Sequence, residues 1–124
     1  MTPLHWASIE GHIDVVKLLV ELGADVTAAD ILGATPLHIA CDRGHIDVVK
    51  LLVEHGADVT SADKYEKTNT PLHKASAKGH IDVVKLLVEL GADVAAADKV
   101  EKTPLHKASD RGHIDVVEFL KGIK

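Results

Sequence analysis

Aromatic residues are almost missing from this chain: one Trp, one Tyr and one Phe in 124 residues, or 2%. Any core it builds is therefore aliphatic, made of Val, Leu, Ile and Ala. Cysteine is as scarce. Cys41 stands alone, which excludes an internal disulfide and points to an intracellular chain, cytoplasmic or nuclear, or to a recombinant one. Positive charge is the minority sign, with 14 Lys and Arg against 19 Asp and Glu, a net charge of −5 with His neutral. That balance argues against general affinity for nucleic acid, which needs a basic surface to displace counterions. No apolar run approaches the ~20 residues of a membrane span, and the opening Met1-Thr2-Pro3-Leu4-His5 does not read as a secretory leader. What is present, 46% hydrophobic and 27% charged residues, belongs to a folded domain of ordinary size.

Repetition organises the whole chain. Thr-Pro-Leu-His starts at Thr2, Thr35, Thr70 and Thr103, at offsets of 33, 35 and 33 residues. Gly-His-Ile-Asp-Val-Val follows at Gly11, Gly44, Gly79 and Gly112, and Gly-Ala-Asp-Val at Gly23, Gly56 and Gly91. The copies run 2–34, 35–69, 70–102 and 103–124, the last cut short before Gly-Ala-Asp-Val. Within a copy, Thr2 suits an N-cap and Pro3 the first helical position, so helix A runs to about Glu10. Gly11 can take the left-handed conformation that ends it. Helix B spans roughly Ile13 to Leu22. Its polar residues, Asp14, Lys17 and Glu21, form one narrow stripe, and the rest of its girth is apolar. Such a helix needs cover on several sides, which a lone hairpin cannot supply and a one-dimensional stack can. Copies two and three repeat the stripe at Asp47, Lys50, Glu54 and Asp82, Lys85, Glu89; copy four interrupts it with Glu118 and Lys121. Between copies, Val26 and Thr27 favour extended backbone and Gly33 a tight turn, which reads as a projecting hairpin-like finger.

Thr-Pro-Leu-His-x-Ala at this spacing, with Gly-His and Gly-Ala-Asp-Val, resembles the ankyrin repeat over the whole chain. The resemblance implies an all-α fold: an α-solenoid of four ankyrin-type repeats, each a helix-turn-helix with a β-hairpin-like finger loop. It also implies that the Thr-Pro-Leu-His ring holds the helix start and links neighbouring repeats, and that partners lie against the fingers and the concave helix A face. The chain departs from the family pattern in four ways. Glu66 and Glu101 replace the finger glycine kept at Gly33. Lys67-Thr68-Asn69 lengthens the second junction. Thr27, Thr60 and Ala95 stand where Asn is usual, which removes the target of the family's asparagine hydroxylation. Neither end carries a polar capping repeat.

Nothing in the chain assembles into catalytic chemistry. Eight of nine histidines are repeat residues. Equivalent residues in stacked repeats lie on the order of 10 Å apart, whereas metal ligands converge to about 2 Å from one ion. His55, in place of Leu22 and Leu90, reads as a packing residue. Paired acids such as Asp25 and Asp30 recur in every junction and read as turn chemistry, since acid–base work needs two carboxylates in unlike environments around a pocket. Cys41 replaces Ser8, Ser76 and Ser109 and lacks the base that would activate a thiol. No phosphate loop and no Gly-x-Ser-x-Gly occur. No catalytic residue, metal ligand or cofactor is expected.

Positions that agree between copies serve stacking; positions that differ are free to recognise a partner. The residue after Thr-Pro-Leu-His is Trp6, Ile39, Lys74 and Lys107, and the residues just before Gly-His include Ile9, Arg43, Lys78 and Arg111. The finger tips carry Ile31 and Leu32, then Lys64, Tyr65 and Lys67, then Lys99 and Lys102. One face thus passes from apolar to basic, with Trp6 and Tyr65 as anchors of the kind that dominate interfaces. The expected partner is a protein segment apolar at one end and acidic at the other; nucleic acid and membrane are not expected. The near-identity of the copies leaves open a consensus-like or engineered scaffold, or a fragment of a longer array, with no natural partner of its own. The chain is expected to be a monomer or to associate weakly end to end, because the outermost copies lack a neighbour on one side.

Overall fold

The computed structural model describes residues 1–63 and 69–123. Thr2, Thr35, Thr70 and Thr103 sit in extended backbone and cap α1 (Pro3–Glu10), α3 (Pro36–Arg43), α5 (Pro71–Lys78) and α7 (Pro104–Asp110). These are the A helices. The B helices are α2 (Ile13–Glu21), α4 (Ile46–Glu54), α6 (Ile81–Glu89) and α8 (Ile114–Lys121). Each A helix packs on the B helix that follows it and on the next A helix, and the B helices touch one another more sparsely. The A helices are therefore the closer-spaced row, and the stack curves with them on its inner side.

The cap is a reciprocal box built around a histidine. In the first repeat, Thr2 Oγ1 accepts the His5 amide at 3.3 Å while the Thr2 amide donates to His5 Nδ1 at 3.1 Å. An amide can only donate, so Nδ1 is the bare nitrogen and the proton sits on Nε2. Nε2–H then donates to the Ala34 carbonyl at 3.0 Å, at the foot of the next repeat. His38 reaches the carbonyls of Ser61 and Asn69, and His73 that of Lys102, in the same way. The link toward the neighbour that the family resemblance implies is thus made by Nε2, while Nδ1 holds the start of the ring's own helix. His5, His38 and His73 are all within 1% of complete burial.

A second histidine stitches each joint. His45, His80 and His113 donate from Nε2 to the carbonyls of Ile9, Asp42 and Ala77 in the preceding repeat, at 2.9–3.0 Å. Their rings lie flat against the left-handed glycine that ends the preceding A helix. A Cβ on Gly44, at φ +73°, would stand 2.7 Å from His80 Nδ1. Leu37, Leu52, Leu72 and Leu87, fully buried between repeats, each contribute roughly 1.5–3 kcal/mol.

The junctions differ from expectation at one point. Val26 and Thr27 are not extended; they form a turn, because the Asp25 carboxylate accepts both the amide and the hydroxyl of Thr27, at 2.9 and 2.6 Å. Val26 is then folded inward and buried. Asp58 and Thr60 repeat the motif. The fingers close like hairpins, with the Asp30 amide donating to the Ala34 carbonyl and Asp30 Oδ1 accepting the amides of Leu32 and Ala34, yet among the described residues they are too short to form strands. Glu101 takes the finger-turn conformation of Gly33, at φ 63° against 83°, so a residue with a Cβ carries a left-handed backbone costing about 1–2 kcal/mol. Residues 64–68 of the longer second junction, Glu66 among them, fall outside the described residues. Its base closes like the others, the Asp63 amide donating to the Asn69 carbonyl.

Two outcomes follow. Burial holds His38 and His73 below the ordinary imidazole value of 6.5, outweighing the pull of nearby carboxylates and carbonyls. The fold keeps the neutral ring, and the unfolded chain takes up protons more readily. Stability is therefore full above about pH 6.5 and declines as pH falls below it, which urea titrations across pH will register. Gly44→Ala should cost about 1 kcal/mol more than Gly112→Ala, measured in the same way. Both bear the left-handed penalty, but only at Gly44 must a histidine leave its carbonyl; around Gly112 the space is open.

Candidate protein-binding surface

The residues that differ between copies lie on the fingers and the inner row of A helices. Trp6 is 58% exposed, Ile31 90% and Leu32 47%. Three large apolar side chains, one on α1 and two on the first finger, thus face water. Ile9 and Ile39 are half-buried and, with Arg43 and Lys74, line a cleft of about 200 Å³ whose walls also include Asp30, Ala34, His38 and Asp42. A second cleft, of about 170 Å³, is lined by Asp42, Asn69, His73, Lys74, Ala77, Lys78, Lys107 and Arg111. Asp42 and Lys74 belong to both, so the two are one groove along α1, α3, α5 and α7. Lys99 is exposed at its finger tip and Lys102 lies at the finger's foot; neither lines these two clefts. Lys64, Tyr65 and Lys67 lie outside the described residues.

Electrostatics divides the basic residues into two kinds. Lys107 Nζ lies 2.9 Å from Asp98 Oδ2 and Lys74 Nζ 3.4 Å from Asp63 Oδ2, with both carboxylates fully buried. Lys78 pairs with Asp42 at 3.7 Å and Lys102 with Asp110 at 2.6 Å, both in solvent. Arg43, Lys99 and Arg111 form no ion pair among the described residues. The finger acids were legible as turn residues, and they are that: Asp98 Oδ1 accepts the amides of Val100 and Lys102, both at 2.9 Å. Each carboxylate has a second oxygen, however, and it faces the following A helix. Burial alone would raise the Asp98 carboxyl; the Lys102 and Val100 amides and the Lys107 ammonium together hold it below its ordinary value. Sequence reasoning missed this double use. The available signal was the pairing of Asp63 with Lys74 and Asp98 with Lys107, against Asp30 with Ile39: a lysine occurs in the repeat that follows only where the carboxylate is sealed. Asp30, beside Ile39, remains partly open.

Asn69 was also missed. It is 6% exposed, it lines the second cleft, and its side-chain oxygen has no hydrogen-bond partner among the described residues. The other reactive residues are spent on structure. Cys41 is completely buried, and burial pushes its thiol well above the ordinary range, so it stays protonated and unreactive. His5, His38 and His73 have both nitrogens committed to protein groups and hold no lone pair out to a metal.

The family model described as ankyrin repeats (3 copies) matches residues 1–63 and 60–124. Among individual proteins, a 29-residue stretch is 69% identical to the serine/threonine-protein kinase VIK of Arabidopsis thaliana, covering 23% of this chain and 7% of that one. A 34-residue stretch is 50% identical to the probable E3 ubiquitin-protein ligase XBOS33 of Oryza sativa subsp. japonica, covering 27% of this chain and 6% of that one. The matches are therefore one repeat long, and the chain spans well under a tenth of either relative.

The ion pairs set one expectation. Lys107→Ala leaves a buried carboxylate without its cation, so it should destabilise the fold by about 1–3 kcal/mol, discounted from the fully buried case because the ammonium keeps some solvent contact. Arg111→Ala, at an exposed side chain, should fall within about 0.5 kcal/mol of the parent. Paired denaturant titrations measure both.

Proposed function

The chain belongs to the ankyrin repeat family, and on that footing we propose that it is a non-enzymatic module that binds a protein through its finger tips and inner helix A groove. Ankyrin repeats are generally protein–protein interaction modules. The observation that carries the reading here is the exposure of Trp6, Ile31 and Leu32, together with a cleft between α1 and α3 that Ile9 and Ile39 line. The rigid joints hold these residues in place, so a partner meets a preformed surface with little ordering left to do.

The partner is a segment that seats an apolar side chain against Trp6 and Ile31 and brings acidic groups to Arg43 and Arg111. Lys74, Lys78, Lys102 and Lys107 are already neutralised by carboxylates, so the acidic requirement is lighter than a count of lysines suggests. Specificity rests more on the apolar end. Work inside the cell, in cytoplasm or nucleus, fits the single sealed thiol; among the described residues no helix is long and apolar enough to cross a membrane.

A second reading is a scaffold or array fragment with no partner of its own. It draws on α2, α4 and α6, which share one nine-residue sequence. Against it stands Glu101 in a turn that glycine would make without strain.

Affinity capture from cell lysate separates the two. The parent is expected to retain a protein that a variant carrying Trp6→Ala, Ile31→Asp, Arg43→Glu and Arg111→Glu loses by about a hundredfold. All four side chains are exposed or nearly so, and circular dichroism should show the variant as helical as the parent. Equal capture by both moves the site elsewhere. A parent that enriches nothing favours the scaffold.

A further inference from the structure

The two ends of the stack are the two halves of a joint that the molecule already makes three times. At the α1/α2 end, Val15 is 46% exposed, whereas its counterparts Val48, Val83 and Val116 are fully buried by the repeat before them. Pro3 is exposed where Pro36, Pro71 and Pro104 are buried. A hollow of about 220 Å³, walled by Leu4, Leu19 and Ala24, opens there. At the α7/α8 end, Ile114 is 69% exposed. His106 and Ser109 are exposed as well, whereas His73 and Ser76 are sealed by the repeat that follows.

The residues match one for one. The first repeat presents His12, Val15 and Leu19; the fourth seats itself on the third through His113, Val116 and Leu120. The fourth repeat presents Leu105, His106 and Ile114; the third receives its neighbour on Leu72, His73 and Ile81. The hydrogen-bonding groups match too. His45, His80 and His113 each donate to a carbonyl near the end of the preceding A helix. His12 has no such acceptor among the described residues, and the carbonyl of Asp110 holds the corresponding place on α7. Gly11, Gly44 and Gly79 are covered by the next histidine ring; Gly112 has open space. His5, His38 and His73 donate to the carbonyl before the next threonine, at Ala34, Asn69 and Lys102. His106 has none among the described residues, and Met1 is the residue that precedes Thr2.

We propose that the chain stacks head to tail on a second copy of itself, the α1/α2 end of one copy seating on the α7/α8 end of the next. The two surfaces differ, so the contact is heterologous and does not close on a two-fold axis. Copies add at both ends and continue the superhelix. Internal joints also bury finger residues, Val26, Ala57 and Val59; residues 113–123 carry no finger, so the joint between copies is weaker than those within one. The proposal uses the ends of the stack and is independent of the binding groove.

Sedimentation equilibrium over a wide concentration range tests it, with Val15→Glu and Ile114→Glu as probes. Both positions face water in the single copy, so both variants should keep the parent's circular dichroism. Should Val15→Glu disturb the first repeat, Leu18→Glu serves in its place, since Leu18 is 55% exposed. The parent's average mass is expected to rise with concentration past that of two chains. Each variant alone should stay a single chain, its association weakened tenfold or more. Mixed together, the two variants should give a two-chain species and nothing larger, because each supplies the end the other has lost. The proposal is overturned by a parent that stays a single chain at every concentration. A mass that levels off at two chains, or association that neither substitution weakens, overturns it equally.

Discussion

Everything in this molecule hangs on an imidazole with no nitrogen to spare. In the first three Thr-Pro-Leu-His motifs, the threonine amide takes Nδ1 and so sends the proton to Nε2, and Nε2 spends it on the carbonyl just before the next threonine. One neutral ring thereby starts a helix and fixes where the following helix begins. Because the bond joins two repeats, a directional hydrogen bond fixes their register along with the packing of aliphatic side chains. The second histidine repeats the logic from the other side of the joint, with its ring against a backbone that has no Cβ. An aliphatic core almost without aromatic residues can pack in more than one register; these directional bonds select one.

A rod assembled this way has a surface divided by duty. Faces turned along the stacking axis are occupied by residues that cannot vary, and the inner edge and finger tips are left to vary. Trp6, Ile31 and Leu32 stand exposed on that liberated edge. Charge on the same edge has a mixed purpose. Finger aspartates use one oxygen to close their turn and the other to meet a lysine from the next helix. Where the fourth and third repeats need that cation, the position is Lys; where Asp30 keeps some contact with solvent, the position is free to be Ile39. The polarity of the groove is therefore partly a by-product of stability.

Periodicity carried much of the structure openly. Helix positions, their caps, the glycine stops, the stacking and the helical class were all legible in the four aligned copies, because each depends on residues within one repeat or on a pattern that recurs at fixed spacing. The boundary of helix B came out one residue long, at Leu22 instead of Glu21, and the stretch at Val26-Thr27 was misjudged, because a β-branched pair argues for extension only until a neighbouring carboxylate captures its amide and hydroxyl. Of the surface residues, Trp6 and Ile9 lie on α1, Ile39 and Arg43 on α3, Arg111 just after α7, and Ile31 and Leu32 on the first finger. The ion pairs of Lys74, Lys78, Lys102 and Lys107 were not legible, since each joins residues from different elements and appears only when the stack brings them together.

By itself, then, the sequence determined the repeating unit: the hydrogen-bonding pattern of one helix pair, and the demand of its apolar girth for neighbours. Position along the stack was decided only by the tertiary structure. The nine residues Ile-Asp-Val-Val-Lys-Leu-Leu-Val-Glu are identical in α2, α4 and α6, yet α2 buries Val16 alone while α4 buries Val48, Val49 and Leu52. The local physics is the same in all three. What differs is whether another repeat lies in front, and burial is a property of that arrangement, which no residue encodes alone.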